Sequence, residues 1–291
     1  MNPRLKAAML NVLAVLPIRQ RRKALYRYKM GRPLSDNPRK FTEKIQWRII
    51  LDRRELISRG GDKLAMKMHT AVADPEILIP ETLWFGTDLD SVYNRDWGTD
   101  WVLKPIGGSG HTVFGAGSLR ESGVDLEAVR RWKVDAQPRL YGEWAYKHAR
   151  PGYLIEKRIE TARGESPNDL RFFVFDGAVR VIQVDSPRTR VVHRRFYTPE
   201  WVPLDVNQGR GKVLADPVPA PEKLSDMIKH ASRIGAGFDF IRVDLYEALG
   251  KIYFGEITPY PAGGTDPYTD VSFDEQLGSY WTLPVNPRRR R

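Results

Sequence analysis

Hydrophobic positions along the chain follow two periods, and the change of period marks the elements. Residues 1–60 carry helical spacing, clearest in Phe41–Leu51, where Ile45, Ile49 and Ile50 recur with Phe41. Gly60-Gly61 breaks that pattern, and Asp62 is placed to cap a new helix running to about Val72. Short apolar runs at Ile77–Ile79 and Trp101–Lys104 predict strands, and a polar helix is expected over Asp125–Val134. From Tyr153 strands dominate. They are predicted at Tyr153–Glu156, Leu170–Phe175 and Val179–Asp185, the last two joined by the Asp176-Gly177 turn. A helix near Glu222–Ile234 interrupts them, and a hairpin covers 238–258, its two alternating runs meeting at Leu249-Gly250. Strands grouped with flanking helices, with few strict βαβ units, predict an α+β fold. No internal repeat is evident.

The hairpin carries the most informative chemistry. With its turn at Gly250 and side chains alternating between faces, Asp244 lies opposite Glu256 and Arg242 opposite Thr258. Facing carboxylates repel unless a cation joins them, and oxygen ligands of this kind suit Mg²⁺ shared with the phosphates of a nucleotide. The alternative is a surface hairpin with an Arg242–Asp244 salt bridge.

Composition and charge narrow the classes. The 291 residues, 41% hydrophobic, are enough for a substantial core. The absence of cysteine excludes disulfides, thiolate nucleophiles and Cys-based metal sites, and it suits a reducing cytoplasm. The five histidines show no ligand spacing. No apolar run reaches the roughly 18 residues that span a bilayer. Residues 1–60 hold 16 Lys/Arg against 4 Asp/Glu, whereas the remaining 231 hold 31 against 32. A basic N-terminal arm on a near-neutral body differs from the spread of charge on a nucleic-acid binder, so no nucleic acid is expected as partner. Leu5–Ile18 is apolar, flanked by basic residues and without a small-x-small cleavage site. It reads either as a basic amphipathic helix on an anionic membrane surface or as a helix packed on the main domain.

Further motifs precede the hairpin. Trp101-Val102-Leu103-Lys104-Pro105 feeds directly into Gly107-Gly108-Ser109-Gly110, where glycines let backbone N–H groups approach phosphate oxygens and the lysine adds a point charge. The loop is neither a Walker A sequence nor a nucleophile elbow. An apolar strand ends in Glu156-Lys157-Arg158-Ile159, and Asp169 and Arg171 share a face at the start of another. Pro187–Arg195 is basic. It reads either as a clamp on substrate carboxylates or a phosphoryl group, through Arg188 and Arg190, or as a solvated loop.

Taken in order, D-K, V-x-K-P with glycines, E-K-x-I, D-x-R, R-x-D and E-x-T span residues 62–258. That succession resembles the ATP-grasp ligases, whose D-alanine–D-alanine ligases carry Asn in the place of Thr258. Asn37–Trp47, reading N-P-R-K-F-T-E-K-I-Q-W, is similar to the N-P-x-T-F-N-E-K-I-Q-W signature of the TupA-like (teichuronopeptide-biosynthesis) branch, with Arg39-Lys40 and Thr42 departing from it. That branch also has Thr in the last hairpin position.

The resemblance implies an ATP-grasp fold, two α+β subdomains gripping ATP. They would lie at 61–152, with the glycine loop, and 153–285, with the hairpin, after a helical basic extension at 1–60 and before a basic tail at 286–291. It implies ATP and Mg²⁺ as cofactors. ATP would meet Lys63 or Lys67, Lys104, Gly107, Gly108, Ser109, Gly110, Asp169 and Arg171, with the adenine edge along the backbone from Glu156 through Lys157 to Ile159. Metal would fall to Asp244, Glu256 and Thr258, and the catalytic charges to Arg242, Arg171 and Lys104. Pro261-Ala262-Gly263-Gly264 would line the acceptor pocket, so Gly263 and Gly264 join Arg188 and Arg190 as substrate positions. The implied activity is carboxylate–amine ligation through an acyl phosphate in cell-surface polysaccharide biosynthesis, in the cytoplasm or peripherally at the inner face of the membrane. A kinase acting on a sugar or glycan precursor and a non-catalytic basic adaptor are the competing readings.

Overall fold

A computed structural model describes residues 15–108, 110–132, 141–161, 169–185, 193–209 and 213–285. Four helices open it: α1 (Ile18–Met30), α2 (Phe41–Leu51), α3 (Glu55–Arg59) and α4 (Lys63–Ala73). The Asp62 side chain caps α4 as expected, accepting from the N–H groups of Leu64 and Ala65. Among the described residues, strands form two sheets. The smaller contains β1 (Thr82–Gly86), β2 (Trp101–Pro105), β3 (Val113–Gly115) and β4 (Tyr153–Lys157) in the order β1-β4-β2-β3. The larger runs β11-β10-β5-β6-β7-β8, from β5 (Asp169–Phe175), β6 (Ala178–Asp185), β7 (His193–Tyr197), β8 (Pro203–Leu204), β10 (Ile241–Ala248) and β11 (Lys251–Thr258). A short β9 (Val213–Leu214) pairs with β7 in parallel, and every other pairing is antiparallel. Helices α5 (Leu126–Arg131), α6 (Leu224–Gly235) and α7 (Val271–Ser279) complete the elements. This is the α+β class that the pattern of elements predicts.

Two strand assignments differ from expectation. Ile77–Ile79 makes only a parallel bridge, Leu78 to Tyr253, and the strand beside it is β1. Pro80 prevents the apolar run from continuing as a ladder. The basic Pro187–Arg195 segment ends in β7, where Arg194 and Arg195 are buried strand residues.

The core has a main part and a separate smaller one. Phe41, Ile45, Ile49 and Ile57 share the main cluster with Phe172–Phe175, Ile241, Val243 and Ile257, so α2 and α3 are built onto the large sheet. Trp101, Leu103, Tyr153 and Ile155 form the small sheet's own cluster with Leu119 and Val129. A third patch, Leu64, Ile106 and Leu154, fixes α4 against the strands that precede the glycine loop and the E-K turn. The polar residues of the 37–47 signature brace α2. Glu43 accepts from the N–H groups of Arg39 and Lys40, and Lys44 donates to the carbonyls of Gly278 and Trp281. Gln46 donates to the carbonyls of Gly263 and Gly264.

Candidate active site

Register in the large sheet sets one wall of the site. Arg242 pairs with Thr258 and Asp244 with Glu256, as the alternation predicts, while β5 brings Arg171 beside Asp244 from the other side. A row Gln183–Arg171–Asp244–Glu256 therefore crosses four strands on one face. A bulge at Gly255 ends the regular register. A Cβ there would lie 2.9 Å from the Asp244 carbonyl oxygen and 2.7 Å from the Tyr246 ring, so only glycine fits without displacement. Arg242 is the hub. Its Nε and Nη2 donate to the two oxygens of Asp244 at 2.7 and 2.6 Å, and Nη2 also reaches Glu256 Oε1 at 3.1 Å and Thr258 Oγ1 at 3.0 Å. The cation that the facing carboxylates require is thus supplied, within the protein, by this guanidinium.

The small sheet and α4 form the opposite wall. Glu156 is held between two lysines, Lys104 Nζ at 2.5 Å on Oε1 and Lys67 Nζ at 2.7 Å on Oε2. Asp62 joins the glycine loop through a bridge to Gly107, and the Lys63 N–H donates to the Ile106 carbonyl at 3.0 Å. Lys63 Nζ donates to the Gly108 carbonyl at 2.7 Å. Between the walls lies a cavity of about 500 Å³, lined by Lys63, Lys104, Arg171, Asp244 and Glu256 among others. A second cavity, about 300 Å³, lies beyond the hairpin against Glu143, Tyr146, Tyr260 and Gly263. Arg242 and Glu256 line both.

Burial and charge act against each other here. Burial pushes the Asp244 carboxyl up to about 6 despite Arg242 and Arg171. It also raises Glu256, but Arg242, Lys63 and Arg171 overcome that and hold it below its ordinary value. Lys63 is lowered to about 8 by burial. Arg171 donates to Asp185 at 2.5 Å and to Asp169 at 3.0 Å, and Asp185, gripped also by Arg194, falls to about 2 because these charges outweigh its burial.

A sequence profile of the TupA-like ATP-grasp family matches residues 43–282. The chain belongs to that family. Its fold is the ATP-grasp fold, two antiparallel sheets with the larger cavity between them. No curated protein matches the chain. Solved structures similar to it include D-alanine–D-alanine ligase from Bacillus anthracis, at 17% identity over 70% of this chain and 59% of that one, with a TM-score of 0.41. The L-amino acid ligase from Bacillus licheniformis shares 14% identity over 71% of this chain and 44% of that one, with a TM-score of 0.43. The ATP-grasp ligase PsnB shares 11% over 70% and 54%, with a TM-score of 0.39. The chain thus spans little more than half the length of the first and third of these, and less of the second.

The residues of this TupA-like ATP-grasp protein fit a magnesium nucleotide better than a resident metal. Among the described residues no three His, Cys, Asp or Glu side chains converge as a metal cage. Mg²⁺ that arrives with phosphates needs only one or two carboxylates from the protein. Glu256 uses only Oε1 in its hydrogen bonds, which leaves Oε2 available. Arg171 lines the same cavity, and its buried Nε makes no hydrogen bond, the Asp244 Oδ2 atom lying 3.5 Å away.

The expected site residues divide into four groups. Lys63, Lys104, Gly110, Glu156, Asp169, Arg171, Arg242, Asp244 and Glu256 line the larger cavity. Thr258 lies on the side of the smaller one, accepting from Arg242 and donating to Glu256 at 3.1 Å, apart from Asp244. Gly263 lines that smaller cavity too, whereas Gly264 is buried against Ile45 and Gln46. Gly107 and Gly108 stand behind the wall, tied to Asp62 and Lys63, and Lys157 and Ile159 do not line the larger cavity. The Lys157 N–H is already given to the Glu81 carbonyl at 2.9 Å. Ser109, Arg188 and Arg190 lie outside the described residues, as do residues 1–14 of the arm and the 286–291 tail. Of the basic segment, Arg194 is taken up by Asp185 and Gln208, and Arg195 by Asp205 and the Ala215 carbonyl.

Sequence reasoning did not pick out Met66, His111, Thr112, Asp185, Tyr246 or Glu143 as site residues. Asp185 and Tyr246 carried a usable signal, since each is in phase with a residue already chosen: Asp185 pairs with Asp169, and Tyr246 follows Asp244 on the same face.

Proposed function

We propose that this protein is an ATP- and Mg²⁺-dependent carboxylate–amine ligase that works through an acyl phosphate. The observation that supports this best is the pair of cavities meeting at one Arg242–Glu256 wall. A ligase of this class needs a nucleotide compartment and an acceptor compartment, with the reacting carboxyl group between them. Lys63, Lys104 and Arg171 hold phosphate oxygens in the larger cavity. Glu256, through its open Oε2, and Asp244 beside it would hold Mg²⁺, which would supply charge neutralisation at the phosphates. Arg242, facing both cavities, stabilises negative charge where the phosphoryl group meets the carboxylate and where phosphate later departs. Thr258 keeps Glu256 and Arg242 in place from the acceptor side. The protein's work is positioning and charge neutralisation. We take the carboxylate to belong to a precursor of a surface glycan, the setting that the family resemblance implies. The cytoplasm, with the basic arm touching the inner face of the membrane, is the matching location.

The test is release of ADP and phosphate with Mg-ATP, a panel of uronic acids and amino acids, and an amine. The ligase requires that phosphate appear free and only with the amine present. Glu256→Gln should lose at least about 100-fold in rate while its far-UV circular dichroism is unchanged. Phosphate retained on the product would instead identify a kinase. Failure to bind Mg-ATP would leave the adaptor reading.

A further inference from the structure

The smaller cavity contains one carboxylate with no assigned partner. Glu143 lies between Gly142, whose φ is +68°, and Trp144, at the start of a short 3-10 turn, Trp144–His148. Two features hold that turn. The Ala145 N–H donates to Tyr260 Oη at 3.3 Å, and Gly61 passes so close to the Ala145 carbonyl that a Cβ would lie 2.4 Å from its oxygen. Across the cavity the 261–264 turn is equally fixed. Arg22, buried in α1, donates to the Gly263 carbonyl at 2.6 Å and to the Tyr141 carbonyl at 3.0 Å, while Gln46 supports both glycine carbonyls. A Cβ at Gly263 would lie 2.9 Å from Glu143 Oε1, so the glycine keeps space in front of the carboxylate.

Among the described residues, no hydrogen-bond donor reaches Glu143. Arg22 acts on it only at a distance, and burial raises the carboxyl to about 7. The groups sharing its cavity are Arg22 and Lys29 from α1, Tyr141 and Tyr146 beside it in sequence, Tyr260 from the turn, and Arg242 and Glu256 from the hairpin. Arg242 and Glu256 already hold each other, and burial displaces the Tyr146 and Tyr260 hydroxyls upward in pKa, Tyr146 well above the ordinary value. Of the two carboxylates in this cavity, Glu256 is held by Arg242 and Thr258, and Glu143 is the one left with an open oxygen pair facing the space in front of Gly263.

The geometry points to Glu143 as the base that takes a proton from the amine acceptor, bound in the smaller cavity as an ammonium ion. This rests on the ligase reading above. An ammonium nitrogen has no lone pair for attack. One of its protons passes to a Glu143 oxygen, and the nitrogen then attacks the acyl carbon. The C–N bond forms as the C–O bond to the phosphoryl group breaks, its electron pair leaving with phosphate. The second proton goes to the departing phosphate, giving hydrogen phosphate and a neutral amide. Glu143 returns its proton to solvent. The acceptor class is accordingly a primary amine protonated at pH 7, such as an amino acid or an amino sugar, rather than an alcohol.

The deciding measurement compares two acceptors on the full chain and on Glu143→Gln and Glu143→Asp, with Mg-ATP and the same panel of uronic acids and amino acids. Hydroxylamine is neutral at pH 7 and traps an acyl phosphate without a base, whereas glycine and L-lysine arrive protonated. The proposal expects the ratio of amine to hydroxylamine rates to fall at least about 100-fold in Glu143→Gln, with partial recovery in Glu143→Asp. It also expects the amine rate of the unaltered protein to rise with pH through about 7, and Glu143→Gln to lose that rise. An unchanged ratio overturns the proposal, as does a loss of hydroxamate equal to the loss of amide, which would assign Glu143 to an earlier step. Failure of any carboxylate to give hydroxamate with the unaltered protein would remove the ligase reading itself.

Discussion

Lys63 illustrates how a single residue links the two halves of the site. Its backbone belongs to the first turn of α4, its Nζ holds the Gly108 carbonyl, and its field falls on Glu256 across the cavity. Lowered to about 8 by burial, it is protonated at pH 7 but within reach of titration. Phosphate favours the charged form, so nucleotide affinity should be full below about 8 and fall as pH rises through it. Calorimetric titration with Mg-ATP at pH 6.5 and pH 9 checks this, and Lys63→Arg, charged throughout, should flatten the profile. Lys63→Ala should lose about 10- to 100-fold in affinity, the equivalent of one charge-assisted hydrogen bond. Legibility at this scale followed chemistry shared with near neighbours. Arg242, Asp244 and Glu256 announce themselves by alternation within one hairpin. Glu143 sits among Gly142, Trp144 and Ala145 with no such pattern, and its role depends on Arg22, Gly263 and Tyr260, which are remote in sequence.

At the scale of elements, the β10–β11 hairpin is the working part, and its bulge controls which way the carboxylates point. Gly255→Ala would place a methyl group against the Asp244 carbonyl and the Tyr246 ring. The expected cost is about 1–3 kcal/mol in urea unfolding, together with weaker Mg-ATP binding as Glu256 turns out of line. Helix α2 plays the complementary part. The side chains that give Asn37–Trp47 its resemblance, Glu43, Lys44 and Gln46, spend their hydrogen bonds on the chain before α2, on the end of α7 and on the 261–264 turn. This signature therefore braces the turn beside the smaller cavity, and none of these three side chains lines the larger one. Elements with a strong period were legible, and weak ones were not. β1 and β3 are short strands of the small sheet, with β1 and β3 at its edges, and the shape of that sheet, rather than any alternation of their own, makes them strands.

On the scale of the whole molecule, the basic arm changes meaning. Arg22 and Arg48, two of its cations, are fully buried and act as internal ties. Arg48 donates to Asp239 at 2.7 Å and to the Phe240 carbonyl at 2.8 Å, and stacks on Trp281 at 4.2 Å, joining α2 to the start of the hairpin and the C-terminal helix region. Removing it takes one of two guanidinium partners from Asp239, which keeps Arg54 at 2.7 Å and the Trp281 indole N–H, and it leaves the buried Phe240 carbonyl without this donor. Arg48→Ala should cost about 1–3 kcal/mol in denaturant unfolding from the buried acceptors that lose its donors, more than Arg19→Ala, whose side chain is 63% exposed beside Asp36 and should change stability by under about 1 kcal/mol. Equal effects from the two substitutions would contradict the assignment of Arg48 as a tie.

What the sequence by itself determined was everything carried by local period and local order. It specified the α+β class, the cap at Asp62, the hairpin register that sets Asp244 against Glu256, and the succession of motifs that names the family. These follow from two backbone periods and a few turn residues, which act over distances of a few residues. Tertiary structure decided which cation lies between the carboxylates, that Thr258 turns toward a second cavity, and that arginines counted as a basic arm are structural. It also created the smaller cavity, from residues near positions 22, 143, 242 and 263. Those outcomes depend on how two sheets and four N-terminal helices pack, and charge is reassigned by burial and proximity only once the chain has brought distant residues together.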